Sequence, residues 1–404
     1  MTPLRFCMIT TFYPPYSFGG DAVFVQRLAG ALGRRGHEVD VIHCRDSYRS
    51  LARHDDPPPE PAQPGVTVHG LESRVGRLSP LATQQTGQPW FKRRRIEAIL
   101  RARRPEVIHY HNISLVGGPG VLALGAAIKL YTLHEHWLVC PTHVLFKFKR
   151  EPCREKECLR CQLSYRRPPQ WWRYTDLLSR AVRQVDAFLA PSETVRQRHA
   201  AEFPELPLVR LPHFLGTPPA PAPVPGLPAR PYFLFVGRLE KLKGLQTIIP
   251  LIRQHPAFDL VIAGAGDYAP ALRQLAGDCE RVHFVGRLTQ AQLQTAYAGA
   301  LAMLLPTIGF EVFPMVFLEA CAAGTPVIVT DVGPLPGLVR ESGGGLVYQD
   351  EAGLVAALTR LQGEAGLRAH LGQAGQAAWR AQWSEEAHLE KYFQLIQQIG
   401  ERRG

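Results

Sequence analysis

The chain has 404 residues, of which 46% are hydrophobic and 20% are charged, and its formal net charge is +11. This length predicts two domains, and this composition excludes a disordered chain. The apolar runs are shorter than the ~20 residues that span a bilayer, and the N-terminus lacks the cleavage site of a signal peptide, so a cytoplasmic location is expected.

Strand-like and helix-like segments alternate through the first half of the chain. Strands are predicted at 4–10, 38–44, 106–111, 130–134 and 187–191, and helices at 22–35, 89–103, 117–128 and 171–185. This alternation is typical of parallel strands joined by crossover helices.

The densest basic segment is residues 89–105, PWFKRRRIEAILRARRP. One interpretation is a solvated surface helix. The other is a helix that lies against anionic lipid headgroups, which would hold the protein at the inner face of the cytoplasmic membrane. Nucleic acid is not an expected partner, because no recognition module accompanies the charge.

Proline dominates residues 211–231, which we expect to form a semi-rigid linker. Beyond it the alternation resumes, with strands predicted at 232–237, 258–264, 281–286, 300–306 and 326–331. The predicted domains are residues 1–210 and 232–382, with a final helix at 383–404 that packs back on the N-terminal domain. The fold class is α/β, and two doubly wound, Rossmann-like domains are expected to face each other across a cleft that binds ligands at the strand ends.

Residues 309–328 combine helix signals with a nearly continuous apolar pattern. Pro314 suits the first turn of a helix and Gly324 suits its exit, so a buried helix is predicted over 314–323. Pro314, Met315 and Val316 at its N-terminus would line a phosphate site, with backbone N–H groups donated by Met315 and Val316.

Two glutamates, Glu311 and Glu319, lie within this apolar stretch. A buried carboxylate is costly unless it accepts hydrogen bonds. Glu319 would accept the hydroxyls of a ribose, and Glu311 would accept those of a sugar. The alternative is that both form structural ion pairs with nearby arginines.

Glycine and basic residues follow predicted strands in both domains. Gly237, Arg238 and Lys243 follow the first strand of the second domain, where the two cations would neutralise a diphosphate and stabilise it as a leaving group. Because the chain has no Asp-x-Asp pair, a metal-bridged diphosphate is not indicated, and no cofactor is expected for catalysis. Gly19 and Gly20 precede a helix in the first domain, where the backbone can approach a phosphate or sugar; a simple tight turn is the alternative.

Four of the eight cysteines lie in one insertion, at about 140–165. They are Cys140, Cys153, Cys158 and Cys161. A structural zinc ion fits four thiols in a cytosolic chain better than disulfides do. Unligated thiols are the open alternative.

In their order along the chain, these motifs resemble the GT-B glycosyltransferases of family four. The resemblance rests on YPPYSFGGDAVFVQRLAGAL, PEVIHYHN, YTLHEHWLVCP, VGRLEKLKG and EVFPMVFLEACAAGTPVIVTDVG. It implies a retaining enzyme that moves a sugar from a nucleotide-diphosphate-sugar donor to an acceptor hydroxyl. The acceptor would be a saccharide or a lipid-linked molecule, as in cell-surface polysaccharide or glycolipid synthesis.

The resemblance also implies roles for individual residues. His134 would lie close to the transferred sugar, and Glu311 would bind the donor sugar. Glu319 would hold the ribose, while Arg238 and Lys243 would hold the diphosphate. An epimerase or a non-catalytic nucleotide-sugar-binding protein of the same fold is the alternative. Pro314 departs from the family pattern, since glycine usually stands there.

Overall fold

The computed structural model describes residues 2–52 and 56–403. Within them the chain divides into two compact units. The first unit comprises residues 2–149, 155–211 and 390–403, and the second unit comprises residues 150–154 and 212–389.

Nine strands and seven helices precede the proline-rich segment in the described residues. The strands are β1 (Arg5–Ile9), β2 (Glu38–Cys44), β3 (Val66–Leu71), β4 (Val107–Tyr110), β5 (Ile128–Thr132), β6 (Phe146–Lys147), β7 (Glu151–Pro152), β8 (Ala187–Ala190) and β9 (Leu208–Arg210). The helices are α1 (Gly20–Arg34), α2 (Arg45–Leu51), α3 (Leu78–Thr86), α4 (Arg93–Arg103), α5 (Cys158–Ser164), α6 (Leu177–Val182) and α7 (Glu193–Glu202).

Six strands and eight helices follow that segment. The strands are β10 (Tyr232–Val236), β11 (Leu260–Ala263), β12 (Val282–Gly286), β13 (Ala300–Leu305), β14 (Val327–Thr330) and β15 (Gly345–Tyr348). The helices are α8 (Leu245–Gln254), α9 (Ala269–Ala276), α10 (Gln290–Gly299), α11 (Met315–Ala323), α12 (Leu335–Ser342), α13 (Glu351–Gly363), α14 (Ala365–Ala378) and α15 (Glu385–Arg403).

The first unit is built on a seven-stranded sheet in the order β3-β2-β1-β4-β5-β8-β9. Its strands pair in parallel. The interior strands β4 and β8 are buried at every residue, as expected when helices cover both faces of a parallel sheet. The strand order reverses between β1 and β4, so the loops that follow these two strands diverge and leave a crevice where ligands bind in such sheets.

The second unit repeats this arrangement with six parallel strands in the order β12-β11-β10-β13-β14-β15. Successive side chains of β10 enter different cores. Phe233 and Phe235 pack in the core that includes α8 and α13, and Leu234 and Val236 pack in the core that includes α11 and α12. The order reverses between β10 and β13, which places a second ligand-binding crevice at the ends of these strands.

The C-terminal helix α15 contributes residues 390–403 to the first unit. Tyr392 is fully buried, and its ring stacks on Phe6 with the centroids 6.2 Å apart. Nearer the end of the helix, Arg403 donates two hydrogen bonds to Asp186. The end of the chain thus packs on the N-terminal sheet.

The segment predicted as a helix at 117–128 is not one. It forms a short 3-10 helix at Pro119–Ala123 and then becomes extended. Gly118 and Gly125 have φ values of 58° and 74°, which lie in the left-handed region and interrupt any α-helix. Most of the apolar residues of this segment are nevertheless buried.

None of the helices in the described residues is both long enough and apolar enough to cross a membrane.

Three histidines of the first unit, His43, His136 and His199, are buried, with at most 1% of each residue exposed. Burial lowers the pKa of His43 and of His199 to about 4 and that of His136 to about 3. No described group lies within hydrogen-bond distance of either ring nitrogen of His136. These rings are therefore neutral in the folded protein.

We expect the free energy of unfolding to fall as the pH drops from about 6.5, where unfolded histidine titrates, towards 4. The unfolded chain takes up protons in this range and the folded chain does not, so each histidine removes about 1.4 kcal/mol per pH unit. Urea unfolding at a series of pH values measures this. His136→Leu should reduce the pH dependence, whereas a substitution of the exposed His370 should leave it intact; equal dependence in both variants would contradict the expectation.

Candidate functional site

The predicted residues divide between the two units. His134, Gly19 and Gly20 lie in the first unit, and the remaining donor-site candidates lie in the second. The candidate residues of each unit are therefore described separately.

In the second unit, the loops that follow β10 and β13 are held against each other. The Ile308 N–H donates to the Leu242 carbonyl at 2.9 Å, and the Thr307 hydroxyl donates to the same oxygen at 2.9 Å. Gly244 has φ 79°, and a Cβ atom there would collide with the carbonyl oxygen of Pro306. Only glycine suits this position, and the close contact brings together the loops that carry Lys243 and Glu311.

Lys243 and Glu311 form an ion pair, with the ammonium nitrogen 2.5 Å from Glu311 Oε1. Their side chains are 24% and 19% exposed, so the pair lies at the edge of the crevice and within reach of a ligand. Arg238 is more exposed and pairs with Glu240 at 2.7 Å. Gly237 directly follows β10 and precedes Arg238, and its N–H donates a hydrogen bond to the Ala263 carbonyl. The structure thus joins Lys243 to Glu311 and directs Arg238 to a different carboxylate.

Helix α11 begins at Met315, one residue later than predicted, and ends at Ala323. The residue that follows, Gly324, has a φ of 71°. Pro314 precedes the helix in an extended conformation, and no described side chain caps this N-terminal end. The first N–H groups of an α-helix have no acceptor within the helix. Those of Met315 and Val316 are therefore available to an anion, with the positive end of the helix dipole behind them.

Glu319 is 5% exposed on this helix. Its Oε2 accepts a hydrogen bond from the Tyr297 hydroxyl at 3.1 Å. Burial and the nearby carboxylate raise the pKa of Tyr297 far above its usual value, so the phenol stays protonated and remains a donor. The carboxyl group is thus contacted in the apolar core by a phenol hydroxyl.

If Glu319 binds the donor, as the resemblance implies, Tyr297→Phe should raise KM for the donor about threefold to tenfold and leave kcat nearly unchanged, because a less firmly oriented Glu319 weakens ground-state binding. The matched control is Tyr232→Phe, since Tyr232 also donates from a buried site, to the Ala296 carbonyl at 2.9 Å. Steady-state kinetics with both variants test this. An equal KM in the two variants would show that the Tyr297 hydroxyl has only a structural role.

In the first unit, His134 follows β5 and lies in a buried aromatic group. Its Nε2 is 2.9 Å from His111 Nδ1, and its ring packs edge-on against Phe24 at 5.2 Å. Loss of water around the ring lowers the pKa of His134 to about 4, and the negative charge of Asp21 opposes this change. At neutral pH the imidazole is therefore uncharged and offers one hydrogen-bond donor and one acceptor nitrogen.

Gly19 caps helix α1 in an extended conformation, and Gly20 is its first residue. Asp21 stands in the first turn and accepts a hydrogen bond from Asn112 Nδ2 at 3.3 Å. The loops after β1 and β4 are thereby connected at the reversal point of the first sheet.

The sequence analysis assigned no role to Tyr297 or Asp21, which lie beside these candidates. Asp21 directly follows the glycine pair, so it carried a local signal. Tyr297 lies 22 residues from Glu319, and no local pattern marks it.

The cysteines of the insertion lie in partly buried surroundings. Cys140 and Cys161 are buried, while Cys153 and Cys158 are partly exposed. Burial raises the pKa of the Cys158 thiol, and the neighbouring Cys140 and Cys161 act in the same direction. Among the described residues, no group of three or more His, Cys, Asp or Glu side chains is placed to hold a metal ion. The zinc site stays a prediction, which metal analysis of the purified protein would test.

Two parallel α/β sheets, each with ligand-type residues at its reversal point, define the fold as GT-B. Sucrose-phosphate synthase from Thermosynechococcus elongatus is 20% identical to this chain and has a TM-score of 0.75, over 99% of this chain and 100% of that chain. Anabaena HepE in complex with UDP is 17% identical with a TM-score of 0.66, over 98% and 100% of the two chains. At these identities the similarity establishes the fold alone.

Two family models match successive parts of the chain. Residues 18–215 match Glycosyltransferase Family 4, and residues 224–378 match Glycosyl transferases group 1. The D-inositol 3-phosphate glycosyltransferase of Acidothermus cellulolyticus is 29% identical over 95% of this chain and 88% of its own length. The chain belongs to glycosyltransferase family 4 and is a glycosyltransferase, as the sequence motifs predicted.

Proposed function

We propose that the protein transfers a sugar from a nucleotide-diphosphate-sugar donor to an acceptor hydroxyl with retention of anomeric configuration. The observation that carries the proposal is the convergence of Lys243, Glu311 and the open N-terminus of α11 at the reversal point of the second sheet. A cation and free N–H groups suit a diphosphate, and a carboxylate suits sugar hydroxyls. That one solved relative, HepE, is in complex with UDP also supports a nucleotide donor.

Each group has a distinct part in the proposed reaction. Lys243 and Arg238 balance the charge that grows on the diphosphate as the glycosidic bond breaks, which lowers the barrier without a metal ion. Glu319 anchors the ribose. In the first unit, the uncharged His134 accepts or donates a hydrogen bond beside the transferred sugar.

We propose a saccharide or lipid-linked acceptor, as in the synthesis of cell-surface polysaccharides or glycolipids. The relative from Acidothermus cellulolyticus is named for transfer to D-inositol 3-phosphate, which is a polyol and therefore an acceptor of similar chemistry. Cytoplasmic nucleotide sugars would supply the donor.

A thermal-shift screen against UDP, GDP, ADP and their sugars tests the donor proposal, because a ligand that binds the folded state raises the melting temperature. We expect one nucleoside diphosphate and its sugar to stabilise the protein. Release of the diphosphate only when acceptor is added would establish transfer. Binding without release under any acceptor would favour a non-catalytic binding protein, and interconversion of the free donor would favour an epimerase.

A further inference from the structure

Two adjoining segments of the first unit, residues 73–95 and 165–175, carry an unusual share of exposed apolar side chains. Six of the twelve large hydrophobic residues that are exposed in the described chain lie there. We call these six the aromatic face: Leu78, Leu81, Trp90, Phe91, Trp171 and Tyr174. Trp90 and Tyr174 are 63% and 64% exposed, although such rings are usually buried.

The two segments are fixed against each other. The indole N–H of Trp172 donates to the Gln84 carbonyl at 3.0 Å, and the Gln84 and Gln85 amides donate to the carbonyls of Pro168 and Pro169 at 2.7 and 2.9 Å. The Trp90 indole N–H donates to Thr86 Oγ1 at 2.9 Å. The two segments that carry the exposed rings are therefore held together by hydrogen bonds.

The charge of these segments has one sign. Residues 73–95 and 165–175 contain nine lysine or arginine residues and no aspartate or glutamate. All of them except Lys92 and Arg173 are exposed. The arginines Arg93, Arg94 and Arg95 begin helix α4 directly after Trp90 and Phe91. Aromatic rings, leucines and arginines thus lie together in two segments that contain no carboxylate, and the flanking carboxylates are Glu72, Glu97 and Asp176.

This combination matches the boundary of a bilayer with anionic lipids. Tryptophan and tyrosine prefer the depth of the headgroups, leucine enters the acyl region, and arginine pairs with lipid phosphates. A single strand of nucleic acid would use stacked rings and arginines, but it offers nothing for Leu78 and Leu81 to enter. A second copy of this chain carries the same positive charge, which opposes self-association.

We propose that the aromatic face docks the protein on an anionic membrane surface. The surface differs from the helix that the sequence suggested, because Ile96 and Leu100 of α4 turn into the core. Membrane contact comes instead from the loop before α4, from α3 and from the 3-10 turn at Trp171–Tyr174. Docking of this kind concentrates the enzyme where lipid-linked molecules lie and does not depend on which donor it uses.

Vesicle co-sedimentation of the purified full chain, without donor, tests the proposal. We expect binding to phosphatidylcholine vesicles that contain about 30% phosphatidylglycerol, little binding to phosphatidylcholine alone, and weaker binding as salt rises above about 0.1 M. Trp90→Ser combined with Phe91→Ser should weaken binding at least about tenfold. Arg94→Gln combined with Arg95→Gln should weaken it about 25-fold, since each arginine near the surface contributes about fivefold.

Matched controls are Val347→Ser and Arg340→Gln, which change an exposed apolar residue and an exposed arginine of the second unit; both should bind as the parent does. Unchanged melting temperatures would show that the four variants are folded. The proposal is overturned if the parent does not bind anionic vesicles, or if the controls lose as much binding as the aromatic-face variants. It is also overturned if the aromatic-face substitutions change only self-association, measured by analytical sedimentation, or only oligonucleotide binding, measured by fluorescence anisotropy.

Discussion

Glu319→Ala is expected to remove the thermal stabilisation by nucleotide-sugar donors and to lower kcat/KM about 100-fold or more. A carboxylate that accepts two ribose hydroxyls contributes about 1.5–3 kcal/mol for each charged hydrogen bond, and about 1.4 kcal/mol corresponds to a factor of ten. The side chain is 5% exposed on α11, so its position is set by packing.

The contact with Tyr297 makes a second variant necessary. Alanine at 319 also removes the acceptor of the Tyr297 hydroxyl, which costs stability through an unsatisfied buried donor. Glu319→Gln keeps the volume and an oxygen for that hydroxyl but loses the charge, so its donor affinity should fall between those of the parent and of the alanine variant. Glu280→Ala, at an exposed position of the same unit, should behave as the parent does. Full donor stabilisation in folded Glu319→Ala would remove the ribose assignment.

The sequence predicted the parts of this fold that local pattern encodes. Interior strands such as β10 and β13 are short apolar runs bounded by glycine or proline, and both were predicted. The edge strands β3 and β15 were missed, because their partial exposure breaks the apolar run. The helix predicted at 117–128 failed since an apolar run alone does not separate a helix from buried irregular chain.

The site shows the same division between local and tertiary information. Lys243 and Glu311 are 68 residues apart and still form a pair, because both follow strands that are neighbours at the reversal of the sheet. The sequence predicted that both residues bind one donor but did not predict their ion pair. The partner of Glu319 was not foreseen. Tyr297 reaches it from α10, and the packing of α10 against α11 depends on side chains spread over the whole second core.

Lys243→Ala is expected to lower kcat about 1000-fold, the largest effect of any single substitution considered. Charge stabilisation by one preorganised donor at a leaving group is worth about 2.7–4 kcal/mol. Lys241 lies in the same 3-10 turn and is exposed, so Lys241→Ala is the matched control and should change kcat less than about threefold. Comparable losses in the two variants would mean that the turn contributes only general positive charge.

The ion pair adds a sharper expectation for Glu311. Glu311 holds Lys243 at 2.5 Å. A diphosphate would draw the ammonium to itself and free the carboxylate for sugar hydroxyls. Glu311→Ala should therefore leave the thermal shift by the nucleoside diphosphate unchanged or larger, because Lys243 no longer has a competing anion, while the extra stabilisation given by the attached sugar disappears. Lys243→Ala should weaken both shifts. Glu311→Ala could instead reduce the thermal shifts given by the nucleoside diphosphate and by its sugar equally. The carboxylate would then act only by positioning Lys243, and the sugar-binding role would be wrong.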